Sequence, residues 1–276
     1  MDPRSHRVMG WAVAAVGALA LGAWLVPAAS AAPKSHGQVV HIVKPGLHGN
    51  TNQSSNWFGY NQGTLEQGGK QFNSIEGDWV VPTATQHTAG QDEYSSTWIG
   101  IGGGCIDANC TVGDSTLIQT GTEQDVGANG AASYSAWYEV IPAPSIGINM
   151  SVAPGDRMHA DVSEVVSGAE IWKITLQDVT RGETFTTTIP YSSTHATAEW
   201  IEETPLIIGA NAGLAALPDL TKTPFTNGKV NGAPAGLDSA EEMQLVDSNG
   251  TVIGTPSAPN ATADGFSLCA WATICS

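Results

Sequence analysis

The chain has 276 residues and a formal net charge of −16, from 26 acidic and 10 basic side chains. Such a negative surface repels nucleic acids and anionic membranes, so neither is an expected partner. At low pH the carboxylates lose their charge and few cations remain, so self-repulsion stays modest, which favours tolerance of acid.

An export signal is predicted at the N-terminus. Two arginines precede an apolar run at 8–26, and small residues with an A-x-A pattern at 29–31 follow it. A membrane anchor is the alternative, since a span needs about 20 apolar residues, but the A-x-A pattern favours cleavage after Ala31. We therefore expect a signal peptide at 1–31, a secreted extracellular chain, and no membrane contact after cleavage.

The next segment, 32–55, is polar and has little hydrophobic periodicity. It is predicted to form a propeptide or a disordered arm. Its lysines, Lys34 and Lys44, and its histidines can lie in an acidic cleft at neutral pH and leave it when the carboxylates become protonated. Residues 56–276 show no repeat or linker and are predicted to form a single catalytic domain.

Short hydrophobic runs rich in Val, Ile, Thr, Trp and Tyr fill this domain, separated by Gly, Pro, Asn and Asp. The spacing predicts an all-β fold, an antiparallel sandwich or barrel. Asn249-Gly250 predicts a tight hairpin, and only 210–217 has a helix-like composition. The predicted strands lie at 77–81, 94–101, 116–120, 133–141, 157–166, 170–180, 183–189, 197–202, 242–246 and 251–253.

The chain has four cysteines. In an exported protein, disulfides between Cys105 and Cys110 and between Cys269 and Cys275 are the simplest of the possible pairings. Zinc is the alternative, but no CxxC or HExxH spacing accompanies the cysteines. We therefore expect two short-range disulfides, no metal and no cofactor.

Alternation along the strands sorts side chains onto faces. In 133–141 the apolar residues share one face, and Trp137 and Glu139 share the other. If the apolar face is buried in the sandwich, Trp137 and Glu139 point outward together. In 197–202 the same rule places Glu199 among mostly apolar neighbours, where a carboxyl group is a candidate for a shifted pKa.

Gln119 and Glu199 are candidates for catalysis. A hydrolase that attacks an amide needs one group that activates water and another that stabilises the oxyanion. The Glu199 carboxylate can do the first. The Gln119 amide can do the second, because its NH₂ donates to negative charge while its C=O can hold the water. The alternative is that Gln119 is a solvated side chain and that Glu199, Glu202 and Glu203 form a charged strand end.

An ordered set of segments resembles the glutamic peptidases, also called eqolisins. The resemblance spans about 56–201 and continues more weakly to about 255. It implies a sandwich of two curved antiparallel sheets with a cleft on the concave side, and a monomeric, metal-independent acid endopeptidase acting on polypeptides. The segments are Asn56-Trp57-Phe58-Gly59, Trp98-Ile99-Gly100-Ile101, Leu117-Ile118-Gln119-Thr120-Gly121, Ala136-Trp137-Tyr138-Glu139 and Thr197-Ala198-Glu199-Trp200-Ile201.

The resemblance also implies site residues. Gln119 and Glu199 match the catalytic dyad: Glu199 as the general base that activates water and returns the proton to the leaving amine, Gln119 as the group that holds the water and stabilises the oxyanion. The sequence departs from the family at Ser135, often an aspartate in fungal members, and at 102–104, where glycines replace a more acidic turn. The positions that line or support the cleft are matched by Trp57, Trp98, Trp137 and Glu139.

Two other functions remain open. A glycoside hydrolase on a similar sandwich would use Glu139 and Glu199 as carboxyl groups about 5–9.5 Å apart, with tryptophans stacked on sugar rings. A non-catalytic carbohydrate-binding sandwich would account for exposed tryptophans but gives no role to Gln119.

Overall fold

Short antiparallel strands make up most of the described chain. The computed structural model describes residues 38–40, 53–208 and 212–276, all within one compact unit. The predicted signal peptide at 1–31 lies outside these residues, as does most of the predicted arm at 32–55. The boundary between arm and domain therefore stays a prediction.

The strands vary from two to ten residues, and within the described ranges the sole helical segment is a 3₁₀ helix at Ser239–Glu241. In chain order the strands are β1 (Gln38–Val40), β2 (Gln53–Ser54), β3 (Trp57–Gly63), β4 (Ser74–Val80), β5 (Ala84–Thr85), β6 (Glu93–Gly102), β7 (Leu117–Val126), β8 (Ala132–Val140), β9 (Ile146–Ile148), β10 (Arg157–Glu164), β11 (Ile171–Asp178), β12 (Glu183–Pro190), β13 (Thr197–Glu203), β14 (Leu206–Ile208), β15 (Gly213–Leu214), β16 (Asp219–Leu220), β17 (Thr223–Val230), β18 (Ala233–Pro234), β19 (Glu242–Val246), β20 (Val252–Pro256) and β21 (Phe266–Ala270).

A continuous path of paired strands forms two layers. The back layer runs β12-β11-β10-β4-β17-β21-β20, and the front layer runs β19-β3-β13-β6-β7-β8-β9, with β19 paired to β20 where the layers meet. β18 adds to β17, and β2 lies parallel to β19. The small sheets β1-β14-β15 and β16-β5 complete the arrangement.

The two layers pack face to face and share one large core. Trp79 of β4 donates from Nε1 to Thr122 Oγ1 of β7 at 3.1 Å, and Trp200 of β13 donates to the Glu76 carbonyl of β4 at 2.9 Å. Burying each large apolar side chain contributes about 1.5–3 kcal/mol. The predicted antiparallel sandwich is confirmed, and its core includes Phe58, Tyr60, Ile75, Ile99, Ile118, Trp172, Ile174 and Phe225.

Each predicted strand corresponds to a strand of the structure, and the hairpin at 249–250 joins β19 to β20 as predicted. Among the strands of five or more residues, three were missed: β3 and β17, whose hydrophobic runs are broken by glycine and asparagine, and β21. The strands of two or three residues were also not predicted. The helix-like composition of 210–217 was misleading, because Gly213–Leu214 pairs with β14 as a strand.

The face of the front layer turned away from the back layer, called here the outer face, carries a second buried cluster that includes Trp57, Trp98 and Trp137. Trp137 and Glu139 share this face as predicted and point away from the back layer, but they are buried there rather than exposed to solvent, at 2% and 1% exposure. Large side chains pack against one another on this face, so it holds a core of its own. A charged strand end is wrong, because Glu199, Glu202 and Glu203 are each 0% exposed.

Both predicted disulfides are present. Cys105–Cys110 lies in the loop between β6 and β7, and Cys269–Cys275 ties the C-terminal residues to β21. Among the residues that the structure describes, no helix is long and apolar enough to cross a membrane.

Candidate active site

Gln119 and Glu199 lie in one row across the front layer. Strand register pairs Glu199 of β13 with Gly100 of β6, and Gly100 with Gln119 of β7. The row continues to Asn61 of β3 beyond Glu199 and to Glu139 of β8 beyond Gln119. Directly opposed residues point to the same side of a sheet, so these side chains share the outer face.

Gly100 leaves a gap in the middle of this row. Two strand spacings separate the backbones of Gln119 and Glu199, about 10 Å. A Cβ atom at Gly100 would lie 3.1 Å from the Gln119 Cβ and 3.0 Å from Leu117 Cδ1. Glycine therefore places no side chain of its own between the amide and the carboxyl group, and any larger residue at this position would crowd Gln119 and Leu117.

The Gln119 amide is held in one orientation. The side chain is 0% exposed, and Nε2 donates to Glu139 Oε2 at 2.8 Å. Its Oε1 accepts no hydrogen bond from the described residues. Because an amide has two N–H donors and a carbonyl acceptor, one donor and Oε1 remain available to a bound molecule.

Both carboxyl oxygens of Glu199 are buried, and in the described part of the chain the nearest donors, the Thr197 hydroxyl and the Gly104 amide, are not in hydrogen-bonding geometry with them. Burial raises the pKa of this carboxyl group well above its ordinary value; the Thr197 hydroxyl and the Gly104 amide oppose the rise, and Asp114 adds to it. Glu199 is therefore neutral at acid pH.

The loop between β6 and β7 covers Glu199. A Cβ atom at Gly104 would lie 2.4 Å from Glu199 Oε1 and 1.6 Å from Asn61 Oδ1, so only a glycine fits there. Asp114, 2% exposed, donates its backbone N–H to the Gly104 carbonyl at 2.9 Å. Sequence reasoning missed Asn61, Gly104 and Asp114; the run of glycines at 102–104 was the available signal of a close backbone approach.

The predicted cleft tryptophans lie on the same face. The rings of Trp57 and Trp98 meet edge to face, with centroids 4.9 Å apart. Trp98 donates from Nε1 to Glu203 Oε2 at 2.8 Å, and Trp137 donates to Ser96 Oγ at 3.1 Å. Trp57 Nε1 is buried and has no acceptor among the described residues. Trp98 and Trp137 lie two residues along their strands from the Gly100 row, about 7 Å away.

A small open pocket lies beside Asn61, between the disulfide loop and β19. Burial raises the pKa of Glu241 in its wall to about 7. The described residues contain no group of His, Cys, Asp or Glu arranged to hold a metal ion. The other lining residues include Glu66, Asp107, Ala108, Glu242 and Met243.

Comparison with known families finds that the model of the peptidase A4 family matches residues 55–264. Comparison with curated proteins finds no match.

Several solved structures have a similar fold. Scytalido-glutamic peptidase, solved with a transition state analog inhibitor, has a TM-score of 0.61 at 20% identity, covering 78% of this chain and 98% of that chain. SCP-B, a member of the Eqolisin family in complex with the tripeptide Ala-Ile-His, has a TM-score of 0.58 at 20% identity with the same coverage. Aspergilloglutamic peptidase from Aspergillus niger has a TM-score of 0.52 at 24% identity, covering 64% and 99%.

Proposed function

The chain belongs to the peptidase A4 family and is a glutamic endopeptidase, and we propose that it is secreted and cleaves polypeptides at acid pH with Gln119 and Glu199 as its catalytic pair. Membership confirms the resemblance to the glutamic peptidases. The observation that carries the proposed dyad is the row in which Gly100 alone separates the two side chains.

In this proposal Gln119 binds the reacting groups. Its unpartnered Oε1 holds the attacking water, and the N–H that does not bond Glu139 donates to the oxygen of the scissile carbonyl as negative charge develops. Removing one donor of this kind costs about 10²–10³-fold in kcat. The hydrogen bond from Nε2 to Glu139 prevents the Gln119 amide from rotating so that its oxygen and nitrogen exchange places.

In this proposal Glu199 carries out the proton transfers. A neutral carboxyl group has one oxygen that accepts and one that donates, and burial favours this form. The accepting oxygen takes a proton from the water as it attacks, and the other gives its proton to the carbonyl oxygen. The resulting diol is neutral. The proton taken from water then passes to the leaving amine, the C–N bond breaks, and a diol hydroxyl returns its proton to Glu199, so the carboxyl group is neutral again and has acted first as a base and then as an acid.

The glycoside hydrolase alternative fits the row poorly. Glu139 and Glu199 are three strand spacings apart, about 14 Å between backbones. Their side chains would therefore have to lean toward each other across Gln119 to bring the carboxyl groups to the separation of about 5–9.5 Å that glycoside hydrolysis needs. Gln119 lies between them and bonds Glu139. This geometry favours a Gln/Glu pair over a pair of carboxyl groups.

The test is to incubate the purified protein with a denatured protein from pH 2 to 7 and to map the cleavage products. We expect cleavage of peptide bonds at acid pH that declines as pH rises through the pKa of Glu199, with little effect of pepstatin, which is directed at paired aspartates. No cleavage at any pH contradicts the proposal. Release of reducing sugar from a polysaccharide supports the alternative.

We also propose that 1–31 is a signal peptide and that 32–55 is an inhibitory arm. The support is the sequence pattern and the complementary charge of the arm and the acidic domain. A chain beginning at Gln53 keeps Ser54, whose hydroxyl accepts from the Trp57 amide at 3.0 Å. It should be more active at neutral pH than the secreted full chain; equal activity contradicts the inhibitory role.

A further inference from the structure

Asn61 stands at one end of the Gly100 row and takes no part in the chemistry proposed above. It lies directly opposite Glu199 on the neighbouring strand and is 4% exposed. The Cβ atoms of opposed residues are about 4.5–5.5 Å apart. Any backbone that Asn61 binds is therefore held beside the Glu199 side chain.

The Asn61 amide binds one backbone unit at both ends. Oδ1 accepts from the Cys105 N–H at 2.9 Å, and Nδ2 donates to the Cys105 carbonyl at 2.9 Å. The side chain thus makes the same pair of hydrogen bonds to Cys105 that the backbone of a neighbouring strand would make. An aliphatic side chain can make neither bond, and an ionised carboxylate can accept from the N–H but is repelled by the carbonyl.

These two bonds decide where Gly104 lies. Gly104 precedes Cys105, donates its N–H to Thr197 Oγ1 at 3.2 Å, and accepts from the Asp114 amide at 2.9 Å. Its α-carbon is pressed between Asn61 Oδ1 and Glu199 Oε1, as the clashes of an added Cβ show. The contact leaves no room for water on that side of the carboxyl group.

The loop that contains Gly104 is stabilised by a disulfide and by hydrogen bonds between its own residues. Cys105 is bonded to Cys110, and Ile106 donates its amide to the Val112 carbonyl at 2.9 Å. Cys105 also bridges to Gly113. Because the loop is tied to itself, its contacts with the rest of the domain set its position over β13. The Leu65 amide donates to the Ile106 carbonyl at 3.0 Å, and the Thr194 hydroxyl donates to Asp114. The two Asn61 bonds hold Cys105, the residue next to Gly104.

We propose that Asn61 is a positioning residue of the catalytic centre, fixing the disulfide loop so that Gly104 shields the Glu199 carboxyl group from water. The inference rests on the role proposed for Glu199. The shield keeps Glu199 in the neutral form that the reaction uses. The titratable groups around Glu199 are Asp114 on the loop, Glu203 on the same face of β13, Glu139 beyond Gln119, and Glu66 and Glu241 beyond Asn61.

The first test compares Asn61→Ala with wild type across pH. Without the two hydrogen bonds from Asn61 to Cys105, water reaches Glu199 and the pKa of its carboxyl group falls toward the ordinary value. We expect the alkaline limb of kcat/KM to move about one pH unit lower and kcat to fall about tenfold with little change in KM.

The variant Asn61→Asp distinguishes a role for Asn61 in hydrogen bonding the loop from a role in filling space alone. At pH 3 the neutral aspartic acid can donate to the Cys105 carbonyl and accept from its amide, so it should restore most of the activity that alanine loses. At higher pH it ionises and the rescue should disappear. Rescue that is absent at pH 3 contradicts the proposal.

Asn231→Ala is the matched control. The Asn231 amide also binds backbone at both ends, accepting from the Asn73 N–H at 2.8 Å and donating to the Gln71 carbonyl at 2.7 Å. Asn231 follows β17 of the back layer. This variant should lose stability while keeping the pH profile of wild type, and an equal shift in both variants overturns the proposal.

A readout independent of turnover is the ¹³C NMR titration of the Glu199 carboxyl group, assigned by its absence in Glu199→Gln. Glu199 should stay neutral to a higher pH in wild type than in Asn61→Ala. The same titration in both proteins refutes the shielding role, even if peptide cleavage is observed. A shifted titration in a protein that cleaves no peptide supports the shielding role and refutes the proposed peptidase site.

Discussion

Strand β13 buries a glutamate on each of its faces, and the two surroundings differ. Glu199 lies on the outer face and Glu202 toward the back layer, both 0% exposed. Burial raises both pKa values, that of Glu202 to about 8. Glu202 accepts from the Thr97 hydroxyl, which faces it in register. Glu199 faces a glycine and accepts nothing from the described residues.

Burial of a carboxyl group does not by itself identify a catalytic residue. Glu202 is paired in register with Thr97, whose side chain lies beside it and donates a hydrogen bond to it, so we assign Glu202 a structural role. Glu199 faces a glycine in its row, and beyond that glycine lies a second unpartnered polar atom, Gln119 Oε1. Among the described residues neither Glu199 oxygen has a donor, whereas Glu202 lacks one only at Oε1.

After Glu199 itself, the largest effect is expected at the glutamines of β7, which also lie on opposite faces. Gln119→Ala removes the water holder and should lower kcat/KM about 10²–10³-fold without unfolding the domain. Gln124 is equally buried and donates to the Thr122 carbonyl at 2.9 Å. Gln124→Ala should cost stability while kcat/KM stays near wild type; equal losses of activity in the two variants contradict the distinction between faces.

The faces themselves could be predicted from the sequence. Period-two alternation assigned Trp137 and Glu139 to one side of β8, and composition located β13. Gln119 and Glu199 were selected by resemblance, because nothing local separates a catalytic glutamine from a solvated one.

The Gly100 row could not be predicted from the residues. It depends on the register between β3, β13, β6, β7 and β8, strands that are distant along the chain, and register is decided by packing of whole faces. The pair of hydrogen bonds from the Asn61 side chain to Cys105 likewise joins two segments that are distant along the chain. For the same reason the burial of the outer face was missed: alternation assigns a face but does not show what packs on it.

Glu202→Gln tests the structural side of the comparison. The folded pKa of Glu202, about 8, lies above the ordinary value of 4.5, so its stabilising effect is complete below pH 4.5 and is lost as pH rises toward 8. Glutamine cannot ionise. The variant should therefore lose less free energy of unfolding between pH 4 and 8, by on the order of 4 kcal/mol, measured by urea denaturation. Equal losses in wild type and variant contradict this account.

Gly100→Ala tests the gap in the row. The added Cβ would contact Gln119 Cβ at 3.1 Å and Leu117 Cδ1 at 3.0 Å, displacing the amide by a few tenths of an ångström. We expect kcat to fall about tenfold, since small misplacements of catalytic groups are costly. Gly147→Ala on β9, where an added Cβ meets nothing within 4 Å, is the control and should leave kcat unchanged; a Gly100 variant as active as this control would argue against the gap.

The smallest effect is expected at Trp57. Phenylalanine keeps the edge-to-face contact with Trp98 and removes the buried indole N–H that has no acceptor in the described part of the chain. If this N–H binds the substrate backbone, KM should rise about threefold, the loss of a typical hydrogen bond, while stability is unchanged or slightly higher. An unchanged KM would remove Trp57 from the substrate contacts.

The most direct test of the central claim is kcat/KM for a denatured protein near pH 3 in Glu199→Gln and Glu202→Gln, with circular dichroism to verify folding. Both substitutions replace a fully buried carboxyl group of β13 by an amide of the same shape. We predict that Glu199→Gln loses at least about 10³-fold and that Glu202→Gln stays close to wild type. A folded Glu199→Gln protein with wild-type activity would contradict the assignment.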